Sequence, residues 1–458
     1  MLLEKVSVQT ISKLRFDALA GYVRRLGAYI MGEELAWYEH PSGVLGTLIR
    51  DVTDGDFGGI ILGPDENQVF RCVDTTPFSL SFDLATSRLK VEMQSWSKRP
   101  SIDFAQGDQT SHPLNVFLPV VTARKMHPAF VQLAAHEQFS PARALIEAMM
   151  PYYTDIDGNF VEQFQSTAFD ARFWELYLFA LLTEERFVFD RSQNAPDFMC
   201  DGLFQDIFVE AVTVGPTQSG NVITEPMPPE GSAFKDYLLE YMPIKWAGAL
   251  TAKLKKRYWA LPHVMAKPIV FAIQDFHVPR AMTFTTSTLL PYLYGRSFAA
   301  YHDADGHLHV KSTRRQEHTW GNKTVESGFF YLPSALFISA VLHNPTATIS
   351  KFNRMARLAK LGSRHVKMFC FGTAYNANRD ATLPVPFRFD VDDPSYMETW
   401  CEGLNVYHNP NALYPLHPAL FPGAMHHRLR GQDITHTIPH FHPYNSTTLM
   451  LVPRRNED

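Results

Sequence analysis

Cysteine is scarce in this chain: four occur in 458 residues, at positions 72, 200, 370 and 401, and none belongs to a CxxC pair. Such spacing excludes a disulfide framework and a thiolate zinc site, and it fits free thiols in a reducing compartment. Long apolar runs are missing too. Stretches such as Ile269 to Ile273 fall far short of the roughly 18 residues that a membrane span requires. The start, Met1-Leu2-Leu3-Glu4-Lys5, lacks the basic and apolar regions of a secretory leader. A cytoplasmic protein with no membrane partner is therefore expected. Nor does one charge dominate. With 42 Lys+Arg against 47 Asp+Glu, the net charge of -5 excludes a polycationic nucleic-acid wrapper and a polyanionic disordered tail. Contact with a polyanion must come from a local patch.

Several motifs are absent on inspection. There is no P-loop, Rossmann glycine fingerprint or GxSxG. His136-Glu137 lacks the second histidine of HExxH, because position 140 is Ser140. Asp155-Ile156-Asp157-Gly158 would place Tyr153 and Phe164 at the first and last positions of an EF-hand loop, so it is expected to be a turn.

What is present begins with short apolar runs between residues 35 and 75. Val44 to Ile49, Phe57 to Leu62 and Val69 to Val73, separated by Gly and Asp, predict a small antiparallel sheet followed by a helix around Leu84 to Met93. Residues 151 to 160 read as a boundary, and Gly215 to Gly231, rich in Pro and Gly, as a loop. Between these lies the clearest order of elements. A helical pattern from Glu162 to Glu185 precedes strand-like Phe187 to Phe189, Asp197 to Met199 and Ile207 to Val214. A second helix is predicted over Phe234 to Trp259, kinked near Pro243, and then a buried strand, Pro268 to Ile273.

Two carboxylates fall where apolar residues belong. Glu175 shares a helix face with Ala168, Ala171, Leu178 and Leu182. Glu210 interrupts a strand apolar on both faces, with Phe208, Val212 and Val214 on its own side. Desolvating a carboxylate costs on the order of several kcal/mol, so partners are required, and Glu210→Ala, which removes a buried charge, is expected to leave the fold intact or more stable. Asp197, in Pro196-Asp197, precedes Glu210 by thirteen positions, which suits adjacent strands of a hairpin. Two such carboxylates can hold a hard cation such as Mg²⁺, with water and substrate phosphate completing its shell.

Glu175 on a helix, Asp197 in a Pro-Asp pair, Glu210 on an apolar strand, then helix and strand, resemble the core of the PD-(D/E)XK nuclease superfamily over residues 160 to 275. The resemblance implies an α/β fold: a restriction-endonuclease-like αβββαβ core at 151–280. A β-rich N-terminal domain (1–150) and an α+β C-terminal domain (281–458) with a basic segment at 351–367 would flank it. It also implies Mg²⁺- or Mn²⁺-dependent hydrolysis of DNA phosphodiesters, with Asp197 and Glu210 as metal ligands and Glu175 as an accessory ligand orienting a metal-bound water. One departure is plain: the position two after Glu210, where the family has lysine, is Val212. Some members place that lysine on the following helix, which here carries Lys253, Lys255, Lys256 and Arg257. Lys253 borders the stripe of Trp246, Leu250 and Leu254, whereas Lys255 points away. Lys253 is the first choice and Lys256 the second. The competing function is an inactive nuclease fold serving as a nucleic-acid or protein binding module. Host defence or nucleic-acid processing is an analogy of fold alone, and a homodimer or partner protein is compatible with either function.

Two further features stand out. No acid occurs between Glu326 and Asp380, while Lys351, Arg354, Arg357, Lys360, Arg364, Lys367 and Arg379 do. Arg354, Arg357 and Lys360, at helical steps, predict a phosphate-facing surface together with Lys351; a basic face docked on acidic residues 155 to 210 is the alternative. Lys311, Arg314 and Arg315 form another basic group. Seven of the 19 histidines lie at 408, 417, 426, 427, 436, 440 and 442. No standard zinc spacing is met, so these fit polar loop packing or an unconventional site at His436, His440 and His442.

Overall fold

The computed structural model describes residues 8–108, 113–220 and 222–452. The chain divides into two units, one formed by residues 1–167, 352–367 and 451–458, the other by 168–351 and 368–450.

In the first unit, five antiparallel strands lie in sequential order: β1 (Gln9–Ile11), β2 (Gly32–Glu39), β3 (Leu45–Asp51), β4 (Phe57–Pro64) and β5 (Phe70–Thr75). The apolar runs expected to be strands are β3 to β5. Helix α1 (Phe82–Trp96) starts where Ser81 Oγ accepts a hydrogen bond from the Leu84 N–H (3.3 Å), with Asp83 in the first turn. Its buried stripe, Ala85, Leu89 and Met93, packs with Leu48 and Ile61 of the sheet. Gly59 permits this approach, since a Cβ there would sit 2.8 Å from Leu89 Cδ1. Helices outside the sheet, such as Ser140–Met149, make this unit α+β rather than β-rich. The Asp155 motif is a turn, its carboxylate accepting from the Gly158 N–H (2.9 Å) and the Phe160 N–H (2.8 Å).

The second unit is built on an eight-stranded sheet. Helix α2 (Phe169–Glu184) leads into β6 (Val188–Asp190), β7 (Phe198–Asp201) and β8 (Ile207–Val214), an antiparallel meander. The chain then runs through helix α3 (Met242–Leu254) to β9 (Ile269–Asp275), which lies parallel to β8. Helix, three strands, helix and strand thus follow in the expected order. The first helical pattern is broken at 166–168, because a short helix, Phe160–Gln165, ends before α2 begins. Helix α2 is apolar nearly all round and is buried on every side, with Trp174 Nε1 donating to the Ala272 carbonyl of β9 (2.8 Å). The kink expected near Pro243 takes the form of a π-helical turn over Tyr237–Tyr241, immediately before α3. Proline has no N–H to give and crowds the carbonyl four residues back, and the wider turn accommodates both. Residues 215–231 form a loop in which Gln218–Ser219 pairs with Val222–Ile223.

Beyond residue 280 the chain adds three small sheets among the described residues, two of them two-stranded and one three-stranded, but its remaining strands continue the main sheet. Strands β10 (Ile338–His343), β11 (Asn405–His408), β12 (Met425–Arg430) and β13 (Asp433–Thr437) extend the same one, in the order β13-β12-β11-β10-β9-β8-β7-β6. The boundary expected at 280 therefore falls inside one hydrogen-bonded sheet. Such a sheet buries β9 completely, between Val212, Trp246, Leu250, Leu289 and Phe329 on one side and Trp174 on the other. A separate antiparallel ribbon, Arg296–His302 with Leu308–Arg314, belongs to no larger sheet. No helix among the described residues is long and apolar enough to cross a membrane.

Candidate active site

Strands β7 and β8 pair Phe198 with Val209, so one step further along the ladder Asp197 faces Glu210. Asp197 is held at this fork by its surroundings. Its Oδ2 accepts from the Ala211 N–H (2.7 Å), its carbonyl from Arg191 Nη1 (3.0 Å), and the preceding Ala195 carbonyl lies 2.8 Å from His263 Nε2. Ala195-Pro196 is a cis peptide. Glu210 is 2% exposed, in the middle of a strand whose neighbours are apolar.

The partner that such a carboxylate requires comes from α3. Lys253 Nζ forms an ion pair with Glu210 Oε1, and Tyr258 OH donates to the same oxygen (2.5 Å). Glu210 Oε2 and Asp197 Oδ1 accept no hydrogen bond from the described residues. Burial comes first among the causes that push Asp197 up to about 7; the neighbouring charges of Glu210 and Glu175 add to it, and Lys253 and the Ala211 N–H oppose it. Burial and the acceptor Glu210 likewise push the Tyr258 hydroxyl well above its ordinary range.

Glu175, 8% exposed on α2, is near enough to raise Asp197, but its own carboxylate is taken by Arg172 Nη1, at 3.0 and 2.7 Å from its two oxygens. Glu210, Asp197 and Lys253 therefore converge, with Glu175 behind them in an ion pair. Lys255, Lys256 and Arg257 are exposed, and Lys256 Nζ lies 5.9 Å from the centroid of the Tyr258 ring. Among the described residues no three His, Cys, Asp or Glu side chains converge tightly enough to hold a metal ion by themselves. A hard cation needs fewer from the protein: Mg²⁺ is commonly held by one or two carboxylates and water. Two carboxylates, each with an oxygen not hydrogen-bonded and one raised by the other's charge, fit that donor set.

The basic segment is placed otherwise than expected. Lys351, in the helix Ile349–Leu358, is fully buried, with Nζ 3.0 Å from Glu398 Oε1 and 3.1 Å from the Glu402 carbonyl. Arg354 is 1% exposed and Arg357 half-buried; only Lys360, at the left-handed residue after the helix (φ 56°), is exposed. The expected phosphate-facing role is corrected for Lys351 and Arg354 alone: a charge inside the protein cannot face a polyanion, and the acid that balances Lys351 is 47 residues away in sequence.

The histidines pack against one another. His408 Nε2 lies 2.9 Å from His426 Nδ1, and His427 Nδ1 lies 2.8 Å from His436 Nδ1 across the β12–β13 ladder. Burial lowers all four, His408 to about 3, so they remain neutral at physiological pH. His440, the middle of the unconventional set, is exposed, whereas His442 is buried.

Two groups escaped the sequence reading. Tyr258 sits just past the helix end, and nothing in its local pattern distinguishes it from a core aromatic. At the C-terminal end of β9, Asp275 Oδ1 lies 2.7 Å from His277 Nδ1, whose Nε2 lies 2.6 Å from Tyr237 OH, while Thr285 Oγ1 donates to Asp275 Oδ2 (2.8 Å). The Asp-x-His spacing is the only signal that could have found it. All four side chains are buried, which suits a satisfied polar core. No protein-family model, curated protein or solved structure matches the chain.

Proposed function

We propose that the chain is a Mg²⁺- or Mn²⁺-dependent nuclease that hydrolyses DNA phosphodiesters at the β7–β8 fork. The observation that carries this is the meeting of Lys253 with Glu210, opposite Asp197, in an αβββαβ order of elements. The order of elements and the Lys253–Glu210 pair support this reading, in which Lys253 would serve in place of the lysine absent at Val212.

Asp197 and Glu210 would hold the cation, which when bound supplies Lewis-acid polarisation of the phosphate. The protein's own groups do the rest. Lys253, a quarter exposed, can reach from Glu210 toward an attacking water and the charge that develops on phosphate oxygens. Tyr258 keeps Glu210 in one rotamer by donating to Oε1. Arg172 holds Glu175 in place, as a charged neighbour of Asp197 rather than a free ligand.

One observation favours a second reading, a binding module that retains the fold without catalysis. Glu210 and Glu175 each already have a cationic side chain as partner, Lys253 and Arg172. The deciding experiment incubates the purified chain and its Glu210→Gln variant with single- and double-stranded DNA and RNA, with Mg²⁺, with Mn²⁺ and with EDTA. Cation-dependent cleavage lost in the variant supports the nuclease; identical traces for both proteins sink it.

A further inference from the structure

The ribbon Arg296–His302 with Leu308–Arg314 carries the inference. It is two strands of seven residues in full antiparallel register, from Arg296 opposite Arg314 to His302 opposite Leu308, and neither outer edge pairs with another strand among the described residues. Most of both faces is exposed, including Phe298, Tyr301 (57%) and Val310 (55%). Long, flat, uncharged edges invite pairing with other chains, and this ribbon is guarded by charge of one sign. Its strands hold Arg296, Lys311 and Arg314 and no acid, and among the described residues none of the three cations forms an ion pair.

The base of the ribbon shows what that charge is suited to. Arg296 and Arg314 are directly opposite on one face, and like charges in that position destabilise a ladder. Arg296 Nη1 reaches only Ser312 Oγ (3.4 Å), and the Arg314 guanidinium rests 5.9 Å from the centroid of the Tyr331 ring. An anion between or beside them removes the conflict. On the opposite face Lys311 stands among Ser297, Ala299 and Thr313, small and hydroxylic side chains that allow close approach. Acids stand at both ends and each is engaged: at the tip Asp303 lies 2.7 Å from His309 Nε2 and Asp380 accepts from the Leu308 N–H (2.9 Å), and at the base Glu240 is taken by Arg315. This fastens the tip and leaves the cationic stem free.

We propose that this ribbon binds duplex DNA by entering the major groove, with Arg296, Arg314 and Lys311 on the flanking phosphates. A two-stranded antiparallel ribbon is one of the few elements that a major groove about 12 Å wide admits. Seven residue pairs extend about 24 Å at roughly 3.4 Å per residue, enough to follow the groove. A second copy of the chain is a poorer occupant, because two acid-free stems would repel each other. The inference deepens the nuclease reading by naming duplex DNA as substrate, and it rests on that reading only for its biological sense.

Binding is measured by fluorescence anisotropy on labelled duplex DNA in EDTA, so that cleavage plays no part, with single-stranded DNA and duplex RNA of the same length as comparisons. The groove of A-form RNA is too deep and narrow for a ribbon, so duplex DNA should bind at least about tenfold more tightly. Arg296→Gln/Lys311→Gln/Arg314→Gln should weaken duplex binding at least about tenfold and flatten log K against log salt by roughly 0.9 per lost phosphate contact. The single variant Lys311→Glu serves if the triple variant has an altered circular dichroism spectrum. Unchanged affinity and slope in a folded variant overturn the proposal, as does equal binding of duplex RNA, or a ribbon-dependent dimer that binds no DNA. Ribbon-dependent duplex binding without cleavage under Mg²⁺ or Mn²⁺ upholds the ribbon and removes the nuclease.

Discussion

Lys253 and Glu210, forty-three residues apart, meet as an ion pair that joins helix α3 to the middle of the central strand β8. The carboxylate is almost wholly buried and the lysine a quarter exposed, so the ammonium is the one of the two that can turn to another partner.

Removing the carboxylate tests both function and stability. Read as an unpaired buried charge, Glu210 could be lost without harm. With Lys253 and Tyr258 both bonded to it, Glu210→Ala strands a buried hydroxyl and a partly buried ammonium and should cost about 1–3 kcal/mol. Urea unfolding measures this, and a variant more stable than the parent contradicts the pairing. The same variant should lose divalent-cation binding in calorimetry.

For Lys253, the expected signature is kinetic. Lys253→Ala should lower kcat at least about a hundredfold with a KM change of only a few-fold, because its ammonium acts on charge formed in the transition state. Lys255→Ala, at an exposed position facing elsewhere, should be silent. The opposite pattern would mean that the ion pair is structural and that catalysis, if present, uses another cation.

Asp197 makes stability depend on pH. Pushed up to about 7 in the fold, it exceeds the roughly 3.9 of an unfolded aspartate, so between these values the folded chain holds a proton that the unfolded chain has released. Stability from this group falls as pH rises through that window, and the penalty is complete above 7. Asp197→Asn should therefore raise Tm at pH 8 and make no difference below about pH 4. Mg²⁺ should raise the Tm of the parent at pH 8 and leave that of the variant unchanged.

Lys351 offers a test of the corrected basic segment. Glu398→Ala leaves its fully buried ammonium without a carboxylate and should destabilise by about 3–5 kcal/mol, read by thermal or urea unfolding. Lys351→Met with Glu398→Leu should recover much of that loss and leave the salt dependence of DNA binding as it was. A flattened slope in the double variant would return the segment to the nucleic-acid surface.

Local pattern made much of this site legible. The strand Ile207–Val214 shows itself as an apolar run broken by one acid, the thirteen-residue interval puts Asp197 opposite Glu210, and the 3.6-residue period turns Lys253 rather than Lys255 toward the sheet. Long-range pairing was not legible. Lys351 resembles a surface lysine because Glu398 is remote, whereas the Arg172–Glu175 pair, three residues apart on one helix, is within reach of the local pattern. The ribbon shows only a short alternation, Leu308-His309-Val310-Lys311, because neither face is buried, so the period-two signal that marks a half-buried strand is not sustained.

The π-helical turn over Tyr237–Tyr241 sets the rotational phase between two sites on one stretch of helix. Ahead of it Tyr237 meets His277; beyond it Lys253 meets Glu210. A π turn accommodates one residue more than an α turn, and each residue of an α-helix rotates its successor by about 100°. Deleting a single residue within the turn would restore the α ladder and leave both contacts in phase, whereas deleting one from the α-helical stretch that follows would rotate one contact away by that angle. The π turn is thus the place between the polar core and the carboxylate fork where the chain can change length by one residue without disengaging either.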